Sequence, residues 1–492
     1  MPNKRLIYSE YHEATKHTVE SLRRSRDFLD WETMPDPFRH YEGAPVLDLP
    51  ADPERPAIPA LSVLMGGRGE TRAVDGAPFL SQLLYYSAAI SATKRVPSSG
   101  YQYALRVNPS SGNLHPTEFH FLTRGLAQWP DGLYHYRPSS HMAEQRAEGA
   151  VPFPVDGSLV FVLTSIAWRE EWKYRDRAYR YCLHDIGHAW ESLALAAQAM
   201  GFEAQATAHF CDDDVTAALQ LHGDEWPMLA VEIKVPGAAG AARSTEVQWH
   251  PGAANPLSSR IIEYPRIEEM HASAKLGRAN MSTEVITRPV GSGALALPQP
   301  APSERAYGEV ARTRRSALDF RGGEESISFA ALSALLAAAS QPLQADFAVN
   351  RFIQLYLYIH RVDGVEPGVY RYWPGEARLE LVRSGDQRVA AAGLSLGQDL
   401  AGNACVAFSM IADMDNATRL HGDRGYRYVF FEAGTIGQRL YLAAESLGVR
   451  ATGIGAFYDD QVHSYLGIEP RQGQVIYHFA IGHPVHDPRI EA

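Results

Sequence analysis

Tyr181-Cys-Leu-His-Asp-Ile-Gly-His-Ala-Trp-Glu-Ser-Leu-Ala-Leu-Ala-Ala-Gln-Ala-Met-Gly201 lies without a gap over Tyr428-Val-Phe-Phe-Glu-Ala-Gly-Thr-Ile-Gly-Gln-Arg-Leu-Tyr-Leu-Ala-Ala-Glu-Ser-Leu-Gly448, at a shift of 247 (428 − 181). Both stretches read as helices. Ile186, Trp190, Leu193, Ala197 and Met200 share one face of the first, and Ala433, Ile436, Leu440, Ala444 and Leu447 share one face of the second. The same shift carries Arg177 to Arg424, Tyr179 to Tyr426, Phe210 to Phe457, Asp212 to Asp459 and Leu219 to Leu466. Upstream the shift is 236 (368 − 132), where Gly132-Leu-Tyr-His-Tyr136 answers Gly368-Val-Tyr-Arg-Tyr372, so each copy also holds a strand or hairpin led by glycine. Solenoid repeats run about 20 to 50 residues. A period this long is therefore a domain duplication.

Working outward, 492 residues are too many for one hydrophobic core and suit two or three domains. The apolar content of 45% and charged content of 21% are those of an ordinary soluble globular protein. Cys182, Cys211 and Cys405 are scattered, which argues against a disulfide framework or a thiolate zinc site and favours a reducing compartment. No run of 18 apolar residues suggests a membrane span, and Met1-Pro-Asn-Lys-Arg5 lacks the apolar run of a signal peptide, so the expected location is cytoplasmic. A net charge of −11 argues against a nucleic-acid partner.

Residues 1–60 read as an N-terminal extension with a helix near Thr15 to Asp30. Residues 61–271 form the first copy, with strands expected at Thr117 to Leu122, Leu159 to Thr164 and Met228 to Val235. Residues 272–303, with Gly291-Ser-Gly293 and Pro298-Gln-Pro-Ala-Pro302, read as a linker. Residues 304–492 form the second copy, with strands at Ile353 to Ile359 and Val475 to Ile481. This alternation predicts an α+β unit repeated twice.

Three clusters could carry chemistry. Arg106-Val-Asn-Pro-Ser-Ser-Gly-Asn-Leu-His-Pro-Thr-Glu118 is a polar loop whose hydroxyls and glycine let donors approach a planar ligand, or else a simple Pro-Ser-Ser-Gly turn. Arg312-Thr-Arg-Arg-Ser316 offers guanidinium groups and a hydroxyl suited to a phosphate, or a solvated surface pair. Thr452-Gly-Ile-Gly-Ala-Phe457 lets a ligand lie against bare backbone, or turns the chain from helix to strand.

Pro109-Ser-Ser-Gly-Asn113, Gly425-Tyr-Arg-Tyr428 with Glu432-Ala-Gly434, Thr452-Gly-Ile-Gly-Ala-Phe457 and the opening Tyr11-His-Glu-Ala-Thr-Lys-His17 together resemble the flavin-dependent nitroreductase superfamily, in particular its SagB/ThcOx-type, azoline-oxidising dehydrogenases. The resemblance implies an FMN-binding α+β fold in which two units build each flavin site across their interface. Pro109, Ser110, Ser111, Gly112 and Asn113 would come from one unit; Arg314, Arg315 and Ser316 at the phosphate and Gly453, Ile454 and Gly455 beside the flavin ring would come from the other. Arg489 resembles a C-terminal basic residue that reaches the phosphate, and Leu318 departs from the pattern where many relatives carry a base. The second copy has Ala345-Asp-Phe-Ala-Val349 in place of the Pro-Ser-Ser loop, and the first has Ala206-Thr-Ala208 in place of the glycines. Each copy thus supplies the half that the other lacks, giving one complete flavin site and one vestigial site per chain, the tandem standing as an intramolecular pseudo-dimer.

The resemblance also assigns proton removal to Lys173-Tyr174, which the second copy replaces with Leu420-His421. A nearby cation favouring tyrosinate, or a buried lysine of lowered pKa, would make the base; the plain alternative is Lys173 paired with Glu170 on a helix surface. The expected activity is an FMN-dependent dehydrogenase or oxidase acting on a heterocycle (azoline to azole) or amino-acid-derived centre of a peptide or natural-product intermediate, with oxygen or another acceptor. The alternatives are a nicotinamide-dependent reductase of a small electrophile and a flavin-free protein that presents a peptide. A homo-oligomer or biosynthetic complex fits either enzyme. His184 and His188, four apart, read as packed residues and not metal ligands, and Asp212-Asp-Asp214 with Asp459-Asp460 reads as helix N-caps.

Overall fold

A computed structural model describes residues 6–24, 28–71, 74–97, 100–236, 246–277, 282–286, 291 and 293–491. Met1 to Arg5 and Ser292 of the sequence reading lie outside them. The two repeated segments are the helices Ala178–Ala199 and Arg424–Ser446, and they pack against each other at the centre of the molecule. Their closest approach is Gly187 on Gly434. A side-chain methyl on Gly187 would collide with the Phe431 carbonyl, and one on Gly434 with that of His184. Because 187 and 434 differ by the same 247, each glycine meets its own counterpart, and a pseudo-twofold axis passes between them.

Each core helix lies against its own antiparallel sheet. The first runs Gln248–Trp249, Met142–Glu148, Gly132–Arg137, Thr117–Thr123, Leu159–Ile166, Glu225–Lys234, Glu203–Thr207. The second repeats the last six strands in that order as Arg378–Ser384, Gly368–Trp373, Ile353–Ile359, Val406–Ala412, Gln474–Gly482, Arg450–Ile454, with Leu295–Ala296 beside Arg378–Ser384 at its outer edge. Continuous apolar strands such as Leu159-Val-Phe-Val-Leu163 stand at sheet centres and are buried throughout. The two expected α+β copies are therefore present, and the strands expected from alternation lie where expected to within a few residues.

Within the helix expected near Thr15 to Asp30, a helix covers Val19–Arg24, and residues 25–27 lie outside the described residues. A further helix, Ile7–Ala14, precedes it and is closed where the Thr15 hydroxyl turns back to donate to the Tyr11 carbonyl. This arm is duplicated too. Glu10-Tyr-His-Glu-Ala-Thr-Lys16 has a counterpart in Glu269-Met-His-Ala-Ser-Ala-Lys275, at the end of helix Pro265–Ser273. Lys16 pairs with Asp460 at 2.9 Å and Lys275 with Asp213 at 2.8 Å, and the backbone N–H groups of His17 and Leu276 donate to Asp459 and Asp212 respectively. Strand Val46–Asp48 and strand Leu295–Ala296 pair with equivalent positions of the two sheets. The stretch 272–303 expected as a linker thus carries the second copy's version of the N-terminal arm.

The acidic runs are not the N-caps expected: they fill the first turns of helices Asp212–Leu219 and Asp459–Leu466, whose N-cap positions are Cys211 and Tyr458, and their leading carboxylates serve in ion pairs instead. Asp212 accepts from Arg424 and Arg427, both at 2.8 Å, while Asp459 accepts from Arg180 at 2.9 Å and lies 3.2 Å from Arg177. Every pair crosses between copies and is buried. The guanidinium groups, acting against the cost of burial, hold both carboxyls well below the usual carboxylate range. Among the described residues no helix is long and apolar enough to cross a membrane.

Candidate functional site

The Pro109–Asn113 loop, Arg314 to Ser316 and Gly453 to Gly455 come together around one cavity of about 440 Å3 between the copies. That lies within the range of about 300 to 1,000 Å3 common for small-molecule sites. Strand geometry explains the convergence. Gly453 and Ile454 end the edge strand Arg450–Ile454 of the second sheet, and Ser316 bridges to Ala451 of that strand. The Pro-Ser-Ser loop leads into Thr117–Thr123 of the first sheet, with Gly112 at φ +57° and Asn113 at φ +61° in the left-handed region.

One end of the cavity is strongly cationic. Arg314 donates to the Val107 and Arg106 carbonyls, and Arg315 to those of Arg312, Arg314 and Ser91, so their bonds go to neutral backbone. Arg314 Nη1 and Arg315 Nε are buried and find no hydrogen-bond partner among the described residues. Burial first, then the neighbouring arginines, pushes Arg315 down to about 9, and burial pushes Arg106 down to about 10. Arg106, from the start of the polar loop, and Lys94, which the sequence had not singled out, line the same cavity. Several buried cations with unused donors make a seat for an anion.

The other end is polar and aromatic. Asp185, on the first core helix, accepts from Ser110 Oγ at 2.6 Å, Ser111 Oγ at 2.9 Å and the Ser111 backbone N–H at 3.0 Å. Desolvation, opposed by these bonds, raises its carboxyl to about 7. Tyr181, Tyr441 and Tyr477 form a wall against the bare backbone at Gly453 and Gly455, and the Tyr441 hydroxyl accepts from the Gly453 N–H at 2.9 Å. His188 also lines the cavity, but its ring is held by Gln438 and by the Tyr477 hydroxyl, and burial lowers it to about 3. His184 contacts the Ile476 carbonyl. His115 is held in place by Arg169, which donates to its carbonyl at 2.7 Å and pairs with Glu118.

Tyr174 lines the cavity and Lys173 stands beside it. A side-chain methyl on Gly112 would sit 2.6 Å from Tyr174 Oη and 3.1 Å from Lys173 Nζ. Neither proposed route to a base is present as expected. Lys173 is exposed and not buried, and the Tyr174 phenol is pushed well above its usual value, first by burial and then by its neighbours Glu170, Tyr181 and Asp185. The surface pairing of Lys173 with Glu170 is not formed either: Glu170 is fully buried, with both carboxyl oxygens lacking a partner among the described residues. Arg489 lies outside the cavity lining, because its guanidinium is engaged by Asp487 at 2.7 Å. Lys94, which also pairs with Asp487 at 2.6 Å, reaches the cavity from the neighbouring strand.

The pseudo-symmetric position is plugged. Asp346 N–H donates to the Ala206 carbonyl and Ala206 N–H to that of Gln344, while the Asp346 carboxylate accepts from the N–H groups of Ala208 and His209 at 3.0 Å each. Phe347 stacks on Tyr428, the counterpart of Tyr181, with centroids 4.4 Å apart. Helices Ala60–Leu64 and Tyr307–Thr313 pair as symmetry mates, the Ala60 N–H donating to the Arg305 carbonyl and the Tyr307 N–H to that of Ile58, so Arg314-Arg-Ser316 answers Gly67-Arg-Gly69. There Arg68 turns outward to Glu203, and a smaller cavity of about 240 Å3 remains.

The profile of the Nitroreductase family matches residues 87–233 and 311–483, together well over half of the chain. A crystal structure from Anabaena variabilis, assigned as a nitroreductase, superposes with a TM-score of 0.78 at 26% identity, over 98% of this chain and 100% of that one. A protein of Methanocaldococcus jannaschii assigned as a nitroreductase is 38% identical over 119 residues, 24% of this chain and 59% of that protein. The trifolitoxin operon protein TfxC of Rhizobium leguminosarum is 30% identical over 125 residues, 25% of this chain and 35% of its own. The trifolitoxin-processing protein TfxB of the same organism is 27% identical over 158 residues, 29% of this chain and 42% of its own. The matches to these three proteins thus span between about a third and three fifths of their lengths.

Proposed function

This chain belongs to the nitroreductase family, a class of FMN-dependent oxidoreductases, and from that premise we propose that it is a flavoenzyme holding a single FMN in the cavity between its two copies. The observation that carries the reading is the pair of buried, unpartnered guanidinium donors of Arg314 and Arg315, which a phosphate would satisfy. Lys94 and Arg106 would add to the phosphate seat, the serine loop and Asn113 would face the polar edge of the ring system, and Gly453 to Gly455 would lie against it. FMN would supply the hydride chemistry. The chain's own part is to hold the cofactor, keep water from the ring behind the tyrosine wall, and present the Tyr174 hydroxyl as a proton donor at the rim.

The family membership and the full-length match to an assigned nitroreductase support reduction of a small electrophile with a nicotinamide as electron source. The test is anaerobic addition of NADH or NADPH to the yellow protein. Loss of the absorbance near 450 nm within seconds is expected, and an oxidised spectrum with both nucleotides overturns the nicotinamide reading. A second reading, oxidation of an azoline on a peptide intermediate, is supported by Tyr174 and Lys173 against Gly112 and by relatives whose names tie them to trifolitoxin. It predicts flavin reduction by an azoline peptide without nicotinamide. Cys182, Cys211 and Cys405 are free, which supports the cytoplasmic setting.

A further inference from the structure

Asp185 is a buried acid whose hydrogen-bonding partners all belong to the Pro-Ser-Ser loop. It is 2% exposed, and Ser110 Oγ, Ser111 Oγ and the Ser111 N–H all point at its two oxygens. A hydroxyl has one hydrogen. While Asp185 is a carboxylate, both serine hydrogens are committed to it; Ser110 Oγ also accepts from the His115 N–H at 2.8 Å, and what the two oxygens have left to offer the cavity is lone pairs. A proton on Asp185 replaces one of those donors with its own O–H, and one serine is then free to donate into the cavity. The same carboxylate holds the N–H of Ser111, the residue before Gly112, where a side-chain methyl would meet Tyr174 Oη and Lys173 Nζ.

We propose that Asp185 is a positioning residue that sets the polarity of the Ser110–Ser111 loop toward the bound flavin: hydrogen-bond acceptor when Asp185 is charged, donor when it is neutral. This rests on the reading of the cavity as a flavin site. The titratable groups that feel the charge of Asp185 are Glu170 and Tyr174 from the helix before the core helix, Cys182 on its own helix, and Tyr477 from the second sheet. Burial raises all four above their usual values, which keeps the Tyr174 and Tyr477 phenols and the Cys182 thiol neutral near pH 7. Lys173, whose Nζ lies against Gly112, acts on Glu170. Asp185 itself is raised by desolvation to about 7, against the pull of the three serine hydrogen bonds. The second copy carries Glu432 at the equivalent helix position, and there it accepts from the N–H groups of Phe352 and Ile353 and from Arg351. An acid at this position anchors the backbone ahead of the central strand in both copies, but only in the first copy does it capture hydroxyls that face a cavity.

The test is a pH titration from 5.5 to 8.5 of wild type, Asp185→Asn and the Ser110→Ala/Ser111→Ala double variant. Two signals are read: the visible absorbance of the flavin in the holoprotein, and the 1H–15N resonance of the Ser111 amide in the apoprotein. Wild type is expected to show a one-proton shift of both signals centred near pH 7. Asp185→Asn should lose both shifts. The double serine variant should keep the amide shift and lose the flavin shift, which a merely structural role would not produce. A flavin shift of wild-type size in either variant overturns the proposal, as does a Ser111 amide that titrates equally in Asp185→Asn. If the amide behaves as expected and the protein retains no flavin, the flavin reading fails and the hydrogen-bond switch stands on the amide data alone.

Discussion

At the scale of single residues, the site depends on charges that the sequence left without partners. Arg314 spends its donors on two carbonyls and keeps one free, so Arg314→Ala should weaken FMN retention by about ten- to a hundredfold, the usual range for a charge-assisted contact of about 1.5–3 kcal/mol. Dialysis followed by absorbance measures it, and a variant as yellow as wild type places the phosphate elsewhere. Tyr174→Phe removes only the hydroxyl and should leave the flavin spectrum intact while slowing substrate turnover on the order of 10²- to 10⁴-fold. Unchanged turnover removes Tyr174 from proton transfer. Asp185 also predicts a pH dependence of stability. Its folded value of about 7 lies above the usual 3.8, so the neutral form is favoured by folding, and the contribution is present at low pH and lost as pH rises through 7. The stability of wild type relative to Asp185→Asn should fall by about 1.4 kcal/mol per pH unit from pH 5 to 7, then level off. A flat difference would mean that Asp185 is ionised throughout. Lys173 and Tyr174 were picked out in the sequence by the family resemblance, whereas the raised Tyr174 phenol was not legible there, since burial is a property of the packed structure. Asp185 could have been found. Its aligned residue Glu432 is an acid too, so both copies keep a carboxyl at the same position of the repeated helix.

At the scale of elements, the duplicated helices were fully legible, because a 21-residue match survives divergence and its apolar spacing fixes which face is buried. The strands were legible where both faces are buried, as in Leu159–Ile166, which reads as a continuous apolar run. The duplicated arm was not. Its surviving signals, Glu-x-His-x-x-x-Lys and Leu-x-Leu-Pro, are short and polar or turn-forming, and their meaning lies in contacts to the other copy. The core helices make a sharp prediction. Gly187→Ala places a methyl against the Phe431 carbonyl at the pseudo-twofold axis, where neither backbone can withdraw, and should destabilise the chain by about 1–3 kcal/mol in denaturant unfolding. Wild-type stability would show that the helices stand further apart than described.

At the scale of the whole molecule, duplication turned a symmetric pair into a division of labour. The interface stayed symmetric: Asp212 with Arg424 and Arg427 repeats as Asp459 with Arg180 and Arg177, and each cluster holds a buried charge that only the opposite copy neutralises. Asp459→Asn leaves two buried arginines uncompensated and should cost about 3–5 kcal/mol of stability, whereas a surface pair would cost less than about 1. The sites diverged. One side kept the serine loop, the arginines and the glycines around about 440 Å3, while on the other Asp346 and Phe347 occupy the counterpart of the ring seat. The sequence showed this asymmetry as motifs missing from alternate copies, though not that the loss had been filled by a plug. The most direct test of the account is the amount of FMN released on denaturing the purified protein, set against chain concentration. One intact cavity and one plugged counterpart predict close to one FMN per chain, and a value near two would contradict that division.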